Sequence, residues 1–461
     1  PHENIVSLHS GLTAKQRCQA FLQAQTGAAK LIIGTRSAIF TSMPNLGIII
    51  IDEEHDASFK QQDGLRYHAR DIAIMRAQYL KIQIILGSAS PSLETYANVA
   101  HGKYQCLSLP HRATQAKLPQ MHLIDTNHQA TTAGLSSPLI NEIKKTLTKE
   151  QQILLFLNRR GFAPTLYCNS CGFIAECRRC DAKLIYHKTK NKLICHHCLA
   201  QHNVLEICPQ CQLTSLIPLS FGTQRIEESL KKHFPEYDIL RIDKDVMRSQ
   251  QDWDKLINQL EAGKPCIMIG TQMLAKGHHF PNIALVGILD CDYGFYAADL
   301  RASERMGQLV LQVAGRAGRG EVPGIVLIQT NMPENPLWQP LLAHDYDAFA
   351  KILLQQRQQH HLPPYSYHAL LRVEAKRTDK IKEFFAKLLH QCEKLTNITL
   401  LGPIDALMAK KAGFFRSQLL LQADNRKYLQ NYLEHFTKMI LTIKIAKEVR
   451  WHIDIDPQDF Y

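Results

Sequence analysis

The apolar run Leu46-Gly47-Ile48-Ile49-Ile50-Ile51, followed at once by Asp52-Glu53-Glu54-His55, constrains this chain more than any other stretch. A short, continuous apolar run of this kind reads as a strand buried in a parallel sheet. Acidic residues at the carboxyl end of such a strand stand where an open α/β sheet builds its ligand crevice. There Asp52 can hold Mg²⁺, usually through water, and Glu53 can orient and deprotonate the water that attacks a γ-phosphate. A solvated acidic turn explains four residues equally well, so the choice rests on the downstream sequence.

That sequence supplies Gln312-Val313-Ala314-Gly315-Arg316-Ala317-Gly318-Arg319, two arginines three residues apart with glycines between them. Phosphoryl transfer needs positive charge at close range as the transition state forms, and a paired-arginine loop delivers it. Acidic strand end and arginine loop together imply a two-lobed, helicase-type ATPase using ATP with Mg²⁺.

A chain of 461 residues has room for about two to four domains, and 45% hydrophobic content supports real cores. The net charge of +12 and pI near 9.0 favour a polyanionic partner, nucleic acid above all. No apolar run reaches membrane-spanning length and the start is no signal peptide, so the expectation is a cytoplasmic protein without membrane partners. The chain opens on Pro1 and enters a strand-like run, Asn4 to Leu8, which reads as a piece of something longer.

Alternating apolar runs and helical patterns over 1–118 predict a parallel α/β lobe with strands at Lys30–Gly34, Ile48–Ile51 and Gln83–Gly87. Residues 119–136 are polar and irregular and read as a linker. A second α/β lobe over 137–345 has strands at 152–157, 266–270, 284–289 and 325–328, and a cysteine insert at 166–214 interrupts it. Beyond Pro363-Pro364, residues 346–461 predict strand, helix, strand, strand, helix, strand, the order of a split βαβ, ferredoxin-like α+β sandwich. The fold class is therefore α/β: two RecA-like lobes, the first incomplete, a two-zinc insert in the second, and a C-terminal α+β domain.

The insert carries four Cys-x-x-Cys pairs: Cys168/Cys171, Cys177/Cys180, Cys195/Cys198 and Cys208/Cys211. In a large α/β protein this argues for metal in a reducing compartment rather than disulfides. Four thiolates close one tetrahedral zinc site, so eight imply two Zn²⁺. The favoured pairing is nested, with Cys177, Cys180, Cys195 and Cys198 on one ion and Cys168, Cys171, Cys208 and Cys211 on the other. Sequential pairing and an iron–sulfur cluster are the alternatives. His187, His196, His197 and His202 read as bystanders.

Taken together, these segments resemble the primosomal protein N′ (PriA) family of superfamily 2 DNA helicases. Asp52 to Gln62 is similar to the family's DEEH motif and its continuation. Gly87 to Thr95 is similar to motif III, with Ser90 where Thr is usual. Leu155 to Gly161 resembles motif IV, Gly270 to Phe280 motif V and Gln312 to Arg319 motif VI. Gly222-Thr223-Gln224-Arg225 departs from the family with Gln224 in place of Glu, whereas Gly402-Pro403 and Val449 to Pro457 are similar to its C-terminal domain. No Gly-x-x-x-x-Gly-Lys-Ser/Thr loop occurs in the 461 residues. The resemblance puts that loop upstream, with a 3′-end-binding domain and a winged helix. The expectation is a truncated chain that hydrolyses ATP poorly by itself; the alternative is a copy that has lost its ATP site and serves as a zinc-bearing DNA scaffold.

The resemblance implies a 3′→5′ DNA helicase that acts on stalled or repaired forks. It also implies partners among single-strand DNA-binding protein and other primosome proteins. His55 and Gln312 would sense the γ-phosphate, Gly270 would lie at the nucleotide, and Arg316 and Arg319 would reach it, with Arg319 the finger. Ser88 and Ser90 would link hydrolysis to lobe movement, or cap the helix near Pro91. For forked and single-stranded DNA the candidates are Thr35, Arg36, Phe59, Lys60, Arg66, Tyr67, Thr271 and Lys276, where cations meet phosphates and aromatics stack on bases. The resemblance makes the segment after His55 an aromatic-rich loop that couples DNA to hydrolysis. Lys410, Lys411, Phe414, Phe415 and Arg416 form a similar cluster that either binds DNA or covers a sheet.

Overall fold

The computed structural model describes residues 4–459 except 110–116, 128, 130, 158–164, 169, 172, 174, 180–183, 188–190, 196–199, 215, 220–222, 244–245, 248, 272–281, 297–298, 319–323 and 393–396. The chain divides into two compact units, Pro1–Tyr104 and Gln105–Tyr461.

The first unit holds β1 (Ile5–Leu8), α1 (Ala14–Gln25), β2 (Leu31–Gly34), β3 (Ile48–Ile51), α2 (Ala69–Leu80), β4 (Gln83–Leu86) and α3 (Leu93–Ala100). β1 pairs in parallel with β2, and β3 with β4. Thr13 starts α1 with a capping box, its side chain accepting from the Gln16 amide while Gln16 returns to Thr13. The expected strand at 48–51 is present, but its burial is not as expected. Ile51 is buried, whereas Ile48 is 44% and Ile50 65% exposed. Alternate side chains of a strand face opposite sides, and a parallel pair is buried on both faces only where a layer covers each. Among the described residues the β3 and β4 faces are unequally covered, which the apolar run by itself cannot express.

The second unit begins with β5 (Gln120–Asp125), the short pair β6 (Thr131–Thr132) and β7 (Leu135–Ser136), α4 (Ser137–Leu147) and β8 (Gln152–Leu157). The insert follows with β9 (Thr165–Cys168), β10 (Ile185–His187), β11 (Lys192–Ile194), β12 (Gln201–Asn203) and β13 (Leu216–Leu219). The lobe then resumes with α5 (Thr223–His233), β14 (Asp238–Ile242), α6 (Gln250–Glu261), β15 (Cys266–Gly270), β16 (Ile283–Leu289), the helix Ala302–Ala314 and β17 (Ile325–Thr330). Its sheet is ordered β14-β15-β8-β16-β17-β5 and is parallel throughout. Every residue of β8, β15 and β16 is buried, the mark of central strands covered on both faces. Leu139, Ile143, Leu155, Leu230 and Ile269 share that core.

The stretch read as a linker is corrected here. Residues 120–125 form the edge strand β5, in register with β17 from Gln120 opposite Ile325 to Asp125 opposite Thr330. Gln329 then ties down the β6–β7 pair, accepting from the Ser136 amide at 2.9 Å and donating to the Gly134 carbonyl at 2.7 Å. The segment looked irregular because an edge strand with a wet side buries little, here Met121 and Ile124.

The C-terminal sheet contains β18 (Tyr367–Ala375), β19 (Ile398–Lys411), β20 (Phe414–Ala423) and β21 (Arg450–Ile455), with helices Thr378–Gln391 and Arg426–Thr442 between them. Its order is β19-β20-β18-β21, antiparallel throughout, the topology expected of a split βαβ sandwich. Both helices lay Phe384, Leu388, Leu433 and Phe436 on one face of the sheet. No described helix is long and apolar enough to cross a membrane.

Candidate functional site

At the end of β3 the chain turns sharply. Glu53 adopts φ +50°, a left-handed conformation that costs a non-glycine residue on the order of 1 kcal/mol and is retained mainly where the surroundings hold it. Here the surroundings are specific. The Glu53 amide donates to Asp52 Oδ1 at 3.0 Å, the Asp56 amide donates to the Glu53 carbonyl at 2.8 Å, and the Gly87 amide donates to the Ile51 carbonyl at 2.7 Å. Asp52 is exposed and the Glu53 side chain is 48% exposed, so both carboxylates are open to a ligand. His55 is largely enclosed, with Nδ1 2.7 Å from Ser88 Oγ and 3.6 Å from Glu53 Oε2. Ser88 Oγ also accepts from the Ser90 amide at 3.0 Å. The loops leaving β3 and β4 are thereby joined through a histidine and a serine. The cap of α3 is Ser92, which accepts from the Thr95 amide; Ser88 does not cap that helix.

Sequence reasoning assigned nothing to Glu54, the acid between Glu53 and His55. It is 1% exposed. Its Oε1 accepts the Ser92 amide at 2.6 Å, and its Oε2 accepts Arg70 Nη1 at 2.9 Å, Thr95 Oγ1 at 3.0 Å and Ser92 Oγ at 3.1 Å. Its own amide donates to the Gly87 carbonyl at 3.1 Å. Burial works against the Arg70 charge, but Asp71, Glu54 and Glu94 outweigh it and hold the guanidinium above its usual range.

The segment after His55 is a closed loop. Arg36 Nη1 donates to the Ser58 carbonyl at 3.0 Å and the Lys60 carbonyl at 2.9 Å. Lys60 is 2% exposed, with Nζ on the Arg66 carbonyl at 3.0 Å. The Gln61 amide meets the Tyr67 carbonyl at 2.8 Å, and Tyr67 packs edge-on against Phe40 at 4.8 Å. Of the residues expected to meet DNA, Lys60 is bonded inside the loop, and Arg36, two residues past β2, holds the loop by its carbonyls while keeping partial exposure. Thr35, Phe59, Arg66 and Tyr67 retain at least partial exposure, and Leu65 at the tip is 76% exposed.

In the second unit Gly270 is buried at the end of β15 and Thr271 follows it, half-buried. Gln312 is half-buried in the helix Ala302–Ala314, and Arg316, just past its end, is 6% exposed. The Gly318 amide anchors the loop to the Ile283 carbonyl at 3.0 Å. Arg319 and Lys276 lie outside the described residues, as do residues 158–161 and 272–280.

The metal candidates are clearer. The sulfurs of Cys168, Cys171, Cys208 and Cys211 lie within 4.8 Å of one another, with Cys168–Cys211 at 3.5 Å and Cys171–Cys208 at 3.6 Å. Tetrahedral zinc with bonds of about 2.3 Å sets its sulfurs about 3.8 Å apart, so this cluster fits the ion. These are the two outermost pairs, as nested pairing requires and sequential pairing forbids. Burial works to raise the Cys168 thiol, but the amides of Cys171 and Ser170 and the thiols of Cys211 and Cys171 bring it down to about 6. The Phe173 amide works to lower Cys171, but burial and the sulfurs of Cys208, Cys168 and Cys211 push it up to about 12. Cys180 and Cys198 lie outside the described residues. Of the inner set, Cys177 and Cys195 share a small core with Leu184 and Leu193, and His202 Nε2 comes within 3.9 Å of Cys177 Sγ.

The basic and aromatic cluster of the C-terminal domain packs in part on its own sheet and on the insert, with Lys411 exposed. Arg450 stacks on Phe414 at 4.2 Å and Arg416 pairs with Glu374 at 3.0 Å. Lys410 Nζ reaches the Arg178 carbonyl at 3.4 Å, and the Gly413 amide donates to the Arg179 carbonyl at 2.7 Å. The β19–β20 turn thus docks on Arg178 and Arg179, next to Cys177.

Comparison with known proteins agrees with this architecture. The model of the primosomal protein N C-terminal domain matches residues 358–458, and that of the helicase conserved C-terminal domain matches 189–321. The chain is 46% identical to the replication restart protein PriA of Haemophilus influenzae over 98% of its length, spanning 62% of that protein. It is 41% identical to that of Rickettsia felis, with 98% and 70% covered, and 36% identical to that of Bacillus subtilis, with 98% and 57% covered. Among solved structures, RecG bound to a three-way DNA junction aligns at TM-score 0.40 and 14% identity over 78% of this chain and 37% of RecG. With identities of this size along almost its whole length, the chain belongs to the PriA family of replication restart proteins.

Proposed function

We propose that this chain is the motor portion of an ATP-driven DNA helicase that moves 3′→5′, acts at stalled or repaired replication forks, and promotes reassembly of the replication machinery there. The observation that carries the reading is the turn at Asp52–His55: two open carboxylates at a strand end, and an enclosed histidine bonded to the next strand's loop through Ser88. Asp52 would hold the Mg²⁺ that accompanies ATP, which supplies charge neutralisation. Glu53 would take the proton of the attacking water, and His55 would report the phosphate to Ser88 and Ser90. Gln312, Arg316 and Arg319 are assigned to the same nucleotide, beside Gly270. Thr35, Arg36, Phe59, Lys60, Arg66, Tyr67, Thr271 and Lys276 are assigned to DNA. Two Zn²⁺ are proposed, the second on Cys177, Cys180, Cys195 and Cys198. Partners proposed for the longer protein are single-strand DNA-binding protein and other primosome proteins.

A phosphate-cradling Gly-Lys loop is not among the 461 residues, so turnover is assigned to the product of the longest reading frame that contains them. The test is ATP hydrolysis by that product, by its Glu53→Gln variant and by the 461-residue chain, each with and without forked DNA. DNA-stimulated turnover abolished by Glu53→Gln supports the motor. Retained DNA binding with no turnover in the longest product leaves a zinc-bearing DNA scaffold instead.

A further inference from the structure

We infer that His202 belongs to the inner metal site, where its Nε2–H donates a hydrogen bond to the Cys177 sulfur and slows release of the ion held there. This rests on the second Zn²⁺ proposed above and adds to it a residue that the cysteine spacing does not reveal. The described sulfurs of that site suit a thiolate-held ion. Cys177 is 6% exposed and Cys195 is wholly buried, and neither is in a disulfide. The Arg179 amide, two residues along, donates to Cys177 Sγ at 3.4 Å. The Ser170 amide serves Cys168 of the outer set at the same offset.

His202 reaches this sulfur because of the strand that carries it. β12 pairs with β11 so that His202 stands opposite Leu193, and the pairing runs on to Cys195, whose amide donates to the Ala200 carbonyl at 2.9 Å. Residues opposite one another in a ladder share a face, as do residues two apart along a strand. His202 therefore lies on the face of Leu193 and Cys195, which pack with Cys177 in one small core. Gln201 and Asn203 on either side of it are exposed, whereas Ala200 and Val204 pack on that core. The imidazole is half-buried, with Nε2 3.9 Å from Cys177 Sγ.

Four thiolates around one Zn²⁺ leave a site with excess negative charge. Buried charge of that kind needs donors pointed at it. An imidazole N–H held against Cys177 favours the thiolate form that binds metal, and partners of this sort are worth about 10–100-fold in metal affinity. His202 is a donor rather than a ligand because two Cys-x-x-Cys pairs already supply the four sulfurs that close a tetrahedral site.

The test follows metal release from the zinc-loaded 461-residue chain, with excess pyridylazoresorcinol as both chelator and dye. Wild type should release two equivalents. His202→Leu should also be isolated with two, one of which leaves about tenfold faster or more while the other is unchanged. The accelerated equivalent should be the one that Cys208→Ser retains. His202→Gln sets an amide Nε2 donor near the place of the imidazole Nε2 and should recover most of the slow release. Equal release from wild type and His202→Leu overturns the inference. Acceleration that His202→Gln does not reduce also overturns it, because lost packing of the ring then explains the effect. A His202→Leu chain isolated with a single equivalent overturns it too, since a residue whose loss empties the site is more than a donor. A wild-type chain with a single equivalent removes the second Zn²⁺ itself, and the inference with it. Two equivalents in wild type with no effect of His202 leave the second Zn²⁺ standing and remove only the role of His202.

Discussion

Arg70 Nη1 lies 2.9 Å from Glu54 Oε2 and 2.6 Å from Ser92 Oγ, with the Glu54 side chain wholly removed from solvent. Three neighbouring acids thus divide their work: Asp52 and Glu53 face outward, and Glu54 holds the unit together. Removing one partner of a buried pair leaves an uncompensated charge, which costs about 3–5 kcal/mol. Glu54→Ala should accordingly lower the stability of the first unit by about that amount in urea unfolding. Glu53→Gln at a half-exposed position should change it by no more than about 0.5 kcal/mol. Equal effects at the two positions would contradict the division.

The nested thiolate set predicts metal stoichiometry. Cys208→Ser should remove one equivalent of zinc per chain and leave the ion assigned to the inner pairs. Cobalt substitution, followed through thiolate-to-metal absorption, gives the count. Loss of both ions from this single change would argue for one shared cluster.

Chelation should also be felt in the C-terminal domain. The Gly413 amide (φ +84°, a conformation suited to glycine) is held by the Arg179 carbonyl, two residues past Cys177. The second Zn²⁺ proposed above would constrain the segment that carries that carbonyl. Stripping zinc should therefore speed amide exchange at 408–415 while the core strands β18 and β20 stay protected. Unchanged exchange at Gly413 would show that docking does not depend on the metal.

The helix Ala302–Ala314 is fixed by close contacts at its start. Glu304 accepts Arg357 Nη2 at 2.7 Å, both side chains being buried. A Cβ on Gly307 would fall 2.2 Å from Phe349 Cζ. Gly307→Ala should destabilise the second unit by about 1–3 kcal/mol through overpacking. A paired Phe349→Leu change should recover part of the loss. A neutral Gly307→Ala would mean that the helix shifts freely, against its role as a fixed support for Gln312 and Arg316.

Acid should weaken the C-terminal domain through His368. Burial, with help from the Arg301 charge, lowers its pKa from 6.5 to about 4. Its ring Nε2 shares a 3.2 Å contact with Ser366 Oγ. The unfolded chain therefore binds a proton between about pH 6.5 and pH 4 while the folded one does not, so stability is complete above 6.5 and declines as pH falls toward 4. His368→Gln should flatten that slope in unfolding curves measured from pH 7 to pH 4. An unchanged slope would assign the acid sensitivity to other groups.

Local spacing made much of this protein legible. The period-2 and continuous apolar runs marked the strands of both units, and the βαββαβ order of the C-terminal domain follows from where its Gly, Pro and polar breaks fall. The outer Cys-x-x-Cys pairs were readable because each is one short segment whose chemistry depends on its own residues. Convergence of segments far apart in sequence was not readable. Nothing local distinguishes Glu53 from Glu54, because which of two adjacent carboxylates turns inward depends on Arg70, Ser92 and Thr95 arriving from elsewhere. Lys60 and Arg36 read as free cations until backbone carbonyls of the same loop claimed them. The strand at 120–125 declared itself only by pairing with β17, and the exposure of Ile48 and Ile50 depends on which layers cover the strand. Sequence set the local conformations and the chemical groups available; the tertiary structure decided which of them face water and which satisfy one another, because burial and hydrogen-bond partners are properties of segments brought together.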